Sequence, residues 1–505
     1  MIPISVSSLI TLDLSSNQIT DESEHRNLQS LPSLENLILN YNQLSLFPDF
    51  RHFKRLKVLL LSYNQISTIP YHVVPHQLKI LSLKGNQLSA IETTTFSNLE
   101  QLEELDFSIT KELYLNENEI TEISDMAFQG LPKLKVLSLS GNYIASDKLL
   151  QFKRHDTLER LLLDNNNYTV DEVTVDEMLE KMPRLRELSL KRDGIASFSV
   201  NLEKFAPFLS KLYLSGNRIE TLAFLDNIPE TLTHLHLDDN KIKGVNGEKL
   251  RNVQELLVNG NQIKKVSTKH GNNCDEECIT LSGMNKLTKL NVSWNMIKDV
   301  AENAFADTKE LVELDLSGNP NISLPRDVFE VLTKLEILRI SGNQLTFIPS
   351  MCSLNRLKHL DLSNNSIKIV EPDNFCNYQT LQELRLQENM IFNVDSNSSF
   401  LRRLQGLRWL DLSKNDIDYL PINLIHKHPY LQVLLLKNNN IDNINELFNV
   451  RSSYLKELYL EGNPLLTFTI RANNLNVHVA ENRSCTINTE TMTTIESSEE
   501  NDGRR

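Results

Sequence analysis

The chain has 505 residues, 66 acidic against 52 basic, a formal net charge of −14 and 40 % hydrophobic residues. That balance argues against general nucleic-acid binding, which wants a basic footprint, and serves solubility. No run of 18 apolar residues occurs, so no transmembrane helix is expected, and length alone would suggest several domains.

In chain order, residues 1–8 are a lead without a cap, too short and too poor in charge for a secretory signal. From residue 9 to about 466 one motif recurs, L-x-x-L-x-L-x-x-N-x-[IL]. Its asparagine rungs are Asn17, Asn42, Asn64, Asn86, Asn118, Asn142, Asn166, Asn217, Asn240, Asn261, Asn295, Asn319, Asn343, Asn365, Asn389, Asn415, Asn439 and Asn463, with Asp193 in one place. These nineteen rungs step most often by 24 residues. In LTKLEILRISGNQL, Leu338 and Ile340 lie two apart and point inward from a short strand, with Leu335 turning in just before it. The rung amide, Asn343 here, sits where the chain leaves the strand and can pair with backbone of its own turn and the next repeat. Asp193 keeps an acceptor but has no amide hydrogens, so the ladder is expected to be weakest there.

Two places break the period. Residues 102–107 start a motif that never reaches its asparagine, and a second starts at Leu113, so Asn86 and Asn118 lie 32 apart. A distortion or unpaired strand is expected over 102–120, from two half-repeats joined by a deletion or skipped exon, or from a genuine irregular loop. The second break is an insertion at 264–286, expected to project as a loop and carrying Cys274 and Cys278 near His270. A C-x3-C pair is a poor match to zinc sites, which leaves a local disulfide or free thiols. Cys352 and Cys376 each precede a strand's first leucine by five residues, so they are expected to stack as neighbours within disulfide range. Residues 467–484 read as an atypical C-terminal end, and 485–505 as a disordered acidic tail.

A period of 20–29 with this consensus resembles the leucine-rich-repeat superfamily. Several repeats place a phenylalanine before the next strand, at Phe128, Phe305, Phe329 and Phe375. This long form is similar to the typical class of animal, including arthropod, extracellular proteins such as Toll-like receptor ectodomains and chaoptin. The resemblance implies an α/β-type leucine-rich-repeat solenoid: a curved horseshoe with a parallel concave β-sheet and a loop- and 3-10-rich convex side. It also implies cysteine-bearing caps, which this sequence lacks, so an incomplete chain is expected.

Function is expected on the concave face, where the central x of L-x-L points outward. That column reads Asp13, Ile38, Leu60 and Ser82 near the start, with Tyr41 and Tyr63 close to a small apolar patch. Its middle holds Tyr213 and His236, flanked by His234 and Asp238, a group expected to make binding pH-sensitive. Its last third alternates in sign through Asp315, Arg339, Asp361, Arg385 and Asp411, with Trp409 and Trp294 as candidate aromatic anchors. The plain alternative for this row is a self-neutralising ladder of cross-strand pairs. Asn217, Asn240, Asn295, Asn343, Asn365, Asn389 and Asn415 are structural. Sequons at Asn167, Asn291, Asn321, Asn364, Asn397 and Asn482 are candidate glycosylation sites, in numbers chance alone would give.

No phosphate loop, zinc helix motif or nucleophile elbow occurs, and no catalysis, cofactor or metal is expected. The sequence therefore points to a non-catalytic protein-binding chain, secreted or at the cell surface, whose partner is a protein ligand or receptor. The rival reading is an intracellular, cytoplasmic scaffold or enzyme-regulatory subunit. Nothing in the sequence sets the oligomeric state.

Overall fold

The computed structural model describes residues 8–21, 31–70, 73–93, 95–96, 111–145, 153–166, 175–268, 277–376, 379–392, 394, 400–420, 428–444, 454–465, 468–470, 475–479 and 485–487. The chain divides into two compact units, residues 1–296 with 306–308, and 297–305 with 309–505. Each is a parallel β-solenoid.

In the first unit the three-residue strands run Thr11–Asp13, Asn36–Ile38, Val58–Leu60, Ile80–Ser82, Glu112–Tyr114, Val136–Ser138, Arg160–Leu162, Glu187–Ser189, Lys211–Tyr213, His234–His236, Glu255–Leu257 and Lys289–Asn291. Each pairs in parallel and in register with the next. The second unit continues the pattern through Glu313–Asp315, Ile337–Arg339, His359–Asp361, Glu383–Arg385, Trp409–Asp411, Val433–Leu435, Glu457–Tyr459 and Asn476–His478. The middle residue of each strand points inward; from Leu37 to Leu458 these are leucines at most 2 % exposed. The described helical elements of the return segments are short turns, such as the α-helical Asp176–Glu180 and Leu202–Phe205 and the 3-10 turns Ala223–Asn227 and Pro372–Asn374. Phe128, Phe305, Phe329 and Phe375 fill the core behind the strands.

The rungs hold this stack together. Asn217, Asn240, Asn295, Asn343, Asn365, Asn389 and Asn415 are all buried. Asn365 shows the full pattern: Nδ2 donates to Leu362 O in its own turn and to Ile340 O one repeat back, both at 2.9 Å. Its Oδ1 accepts from Leu345 N at 2.9 Å and Asn343 N at 3.1 Å. With a further bond from Nδ2 to Ser363 O at 3.1 Å, one side chain thus satisfies five backbone groups in two repeats. Asp193, fully buried, accepts from Asn166 N at 2.7 Å. It has no amide hydrogens for the Leu163 and Leu190 carbonyls, which are reached by Asn166 and Asn217. The residue before each rung is left-handed, with φ between 50° and 78°, which is why glycine recurs there, as at Gly216 and Gly342.

Strand Glu112–Tyr114 pairs directly with Ile80–Ser82 and Val136–Ser138, and Asn118 donates to Leu83 O at 2.9 Å, so the ladder is in register from residue 111 on; residues 97–110, where the first of the two competing motif starts falls, lie outside the described residues. Two expectations need correction. The insertion is more than a loop. Cys278–Thr280 is a fully buried strand that pairs in parallel with both Val245–Asn246 and Lys265–Ser267 on the flank, where Ile279 enters the core. Cys278 is disulfide-bonded, while Cys274 lies outside the described residues. The atypical end holds a further repeat strand, Asn476–His478, and Cys485–Ile487, placed in the disordered tail by its polar composition, is a strand paired in parallel with Phe468–Ile470. Backbone pairing to a neighbouring flank segment needs no apolar period.

Cys352 and Cys376 form a disulfide with their Cα atoms 4.9 Å apart. Replacing both by serine is expected to lower unfolding stability by about 3 kcal/mol from loop entropy, measured by denaturant titration of oxidised protein. Asn343→Ala removes the acceptor of Asn319 N and the donor to Leu316 O, and is expected to cost about 2–4 kcal/mol. A loss below about 0.5 kcal/mol in the same titration would contradict the role given to the rung.

Candidate functional site

Each strand turns two side chains outward, its first and third residues, so the sheet face carries two columns rather than the one read from the sequence. In the first unit the columns meet in a connected cluster. Register sets Tyr213 beside His236, and His236 beside Leu257. The Tyr213 and His236 rings meet edge to face with centroids 4.7 Å apart, and Lys191 Nζ lies 4.5 Å from the centre of the Tyr213 ring. His236 Nε2 is 3.1 Å from Glu255 Oε1, and Lys289 Nζ is 3.6 Å from the same oxygen. His234 Nε2 is 4.0 Å from Glu255 Oε2, and His234 Nδ1 is 2.8 Å from Thr233 Oγ1. Asp238 lies one turn further on and accepts from Ser215 Oγ at 2.7 Å. Along the same face Arg160 makes a two-pronged pair with Glu187, at 2.8 and 3.2 Å.

The alternating row in the second unit keeps its register: Asp315 faces Arg339, Arg339 faces Asp361, Asp361 faces Arg385, and Arg385 faces Asp411. Its charges do not pair with one another as a self-neutralising ladder would require. Arg339 Nη1 goes to Glu313 at 2.6 Å, and Arg385 goes to Glu383 through Nε at 2.7 Å and Nη2 at 2.6 Å. Each aspartate instead accepts the backbone N–H two residues on, at Ser317, Ser363 and Ser413, all at 2.9 Å. The short Asp side chain is captured by its own turn, whereas the longer Glu in the first column reaches the guanidinium. His359 Nδ1 also reaches Glu383, at 2.9 Å. Burial raises the Glu383 carboxyl, but hydrogen bonds from His359 and Arg385 outweigh that and hold it below its ordinary range.

Trp409 is an outward first-column residue with the Arg385 guanidinium 5.2 Å from its ring. Trp294 is not on the strand face: it occupies the left-handed turn position before rung Asn295, with φ 52°, and is 71 % exposed. Tyr41 and Tyr63 hold the same turn position and stack at 4.6 Å. A second aromatic group lies at the far end, where Tyr459 and His478 stack at 4.1 Å, His478 Nε2 is 2.8 Å from Glu457, and Lys437 Nζ is 4.6 Å from the centre of the Tyr459 ring. Glu187, Glu255, Lys289, Glu313, Glu383 and Glu457 were missed because a single column was followed; taking the residue two before each central x would have found them. Of the sequons, Asn321 and Asn364 are exposed in left-handed turns. Asn291 lies on the strand face with Oδ1 accepting from Ser293 N at 2.9 Å. Asn167, Asn397 and Asn482 lie outside the described residues. Among the described residues no helix is long and apolar enough to cross a membrane, and no group of three or more metal-ligating side chains gathers.

Burial lowers the His236 imidazole below its ordinary value, outweighing the pull of Glu255 and Asp238, while Lys191 adds to the lowering. The unfolded chain therefore takes up the proton first as the solution is acidified. Stability from this residue is whole above about pH 6.5 and is lost as pH falls through the folded value. His236→Gln should flatten the decline in unfolding free energy between about pH 7 and 5; an unchanged pH profile would contradict this.

A family model described as leucine rich repeat matches residues 110–167, 322–367 and 349–391, and a second of that description matches 7–23 and 283–301. One for the repeats of leucine-rich repeat and WD repeat-containing protein 1 matches 372–504. Mouse podocan-like protein 1 (Mus musculus) is 27 % identical over 92 % of this chain and 80 % of its own length. Chicken fibromodulin (Gallus gallus) is 30 % identical over 51 % of this chain and 66 % of its own. In the crystal structure of the mouse RP105/MD-1 complex, a chain 20 % identical matches with a TM-score of 0.63, covering 94 % of this chain and 76 % of that one. With asparagine rungs, in-register parallel strands and these matches together, the chain is a member of the leucine-rich-repeat superfamily.

Proposed function

We propose that this is a non-catalytic protein-binding chain of the cell exterior that docks a protein ligand or receptor on its strand face. The observation that carries the reading is the linked cluster Lys191–Tyr213–His236–Glu255–Lys289 on the strand face. Aromatic rings and half-buried charges at fixed spacing are the makings of binding hot spots. They contribute little to the fold, because exposed ion pairs stabilise by roughly 0–1 kcal/mol each. The Cys352–Cys376 bridge supports an exterior location, since disulfides persist in oxidising compartments.

The test is to place a glycan on the face. Leu257→Asn with Asn259→Thr creates a sequon beside His236 in the first unit, and Leu435→Asn with Lys437→Thr creates one beside Asp411 in the second. Proteins retained from an extracellular extract by the immobilised wild-type chain are identified by mass spectrometry. The expectation is that at least one glycosylated variant loses them at least tenfold, while blocking Asn321 by Asn321→Gln changes nothing. Retention of the same proteins by both glycosylated variants would overturn the reading.

A further inference from the structure

We propose that a stripe of apolar side chains on the flank of the second unit is a self-association surface, joining two antiparallel copies of this chain about a two-fold axis at Phe392. The inference goes beyond the strand-face reading and does not rest on it.

After each rung the chain leaves the strand face in a fixed pattern: an inward residue two positions on, two outward residues, then another inward one. After Asn415 these are Ile417, Asp418, Tyr419 and Leu420, of which Ile417 and Leu420 are buried. Elsewhere among the described residues the outward pair is polar or small, as at Ser67–Thr68, Glu220–Thr221, Lys298–Asp299 and Asp442–Asn443, apart from Leu46. Four successive repeats break that rule with Phe347, Ile369, Phe392 and Tyr419, between 48 and 59 % exposed. Met390, on the same segment as Phe392, is 45 % exposed.

Backbone bonds hold these segments side by side. Ser366 N donates to Leu345 O at 2.8 Å, Met390 N to Ile367 O at 3.0 Å, and Asp416 N to Ile391 O at 2.9 Å. The apolar side chains therefore form one row. Large side chains carry roughly 150–250 Å² each, so five that are about half exposed leave roughly 400–600 Å² of apolar surface open. That is at the top of what a monomer shows to water without a partner. With its polar rim it approaches the roughly 800 Å² per partner of a stable interface.

The occupant is read from the charges along the row. Lys368 precedes Ile369, Phe392 holds the equivalent position one repeat on, and Asp418 precedes Tyr419 one repeat further. One column thus reads cation, ring, anion. Lys368 and Asp418 are exposed, and among the described residues neither makes an ion pair. A two-fold axis lying along the segments at Phe392 reverses the order of repeats and leaves the columns unchanged. It sets Lys368 opposite Asp418 of the second copy, Ile369 opposite its Tyr419, and the two Phe392 rings opposite each other, with Phe347 at the rim. Each unlike contact occurs twice, as an isologous interface requires. An anionic lipid surface, the other natural cover for an apolar row, is repelled by Asp416 and Asp418 at one end.

The test is sedimentation equilibrium of the full chain from roughly 0.1 to 100 µM, the range in which a modest interface shows both states. A monomer–dimer equilibrium is expected. Phe392→Ser should weaken it at least tenfold, and Ile369→Ser repeats the measurement if circular dichroism shows that variant misfolded. Lys368→Glu and Asp418→Lys each set like charges opposite one another at two places, and each should also weaken it at least tenfold. Mixed in equal amounts, these two single variants should dimerise again, because every pair between them is of opposite sign. The double variant should dimerise alone. A wild-type chain monomeric to the top of the range, undiminished dimer in the serine variant, or no recovery on mixing would each overturn the proposal. Binding to phosphatidylserine vesicles that is lost in the serine variant, with the wild-type chain monomeric in solution, would assign the stripe to a lipid surface and overturn it as well.

Discussion

The buried asparagine amide is the interaction on which everything else depends. At a rung such as Asn365 one side chain joins two turns, donating to the Leu362 carbonyl in its own repeat and the Ile340 carbonyl in the repeat before, and accepting a backbone N–H in return. A displaced repeat would strand those groups in the core, where each unmade hydrogen bond costs about 1–3 kcal/mol. The amide therefore fixes strand register, and register in turn fixes which outward side chains stand beside one another. A binding surface made of single residues from many repeats is only as well defined as that ladder.

Because the ladder and the leucines behind it hold the fold, the outward columns are free to vary. Their composition is accordingly far from uniform. Aspartate in the third column of the second unit is held by its own turn, while glutamate in the first column reaches across to arginine or histidine. One methylene of difference separates a residue that neutralises its neighbour from one that does not.

This is also where the sequence ceased to be readable. Strand positions, inward leucines, the rungs and the Cys352–Cys376 adjacency all follow from periodicity, because each is a property of the repeat. The partner chosen by Arg339 is not: Asp315, Asp361 and Glu313 all lie within reach on neighbouring positions, and the outcome turns on the competing Ser317 and Ser363 amides. The strand at Cys278–Thr280 was hidden for a related reason. It lies on the flank, where pairing is made by backbone and no leucine pattern marks it. Trp294 was misplaced because a residue preceding a rung is carried round the left-handed turn, away from the strand it follows in sequence.

The bond between Cys352 and Cys376 has a mechanical consequence. A stack of repeats under tension gives way one interface at a time, since each repeat touches only its neighbours. The interface spanned by this bond is closed covalently, so a pull that peels repeats away from the C-terminal side meets a stop there. Tension would then be borne by the chain on either side of the bond, with the His359–Asp361 and Glu383–Arg385 strands kept side by side. Reduction would remove that stop without altering any residue on the strand face, making the redox state of the surroundings a control on how far the stack can be drawn out.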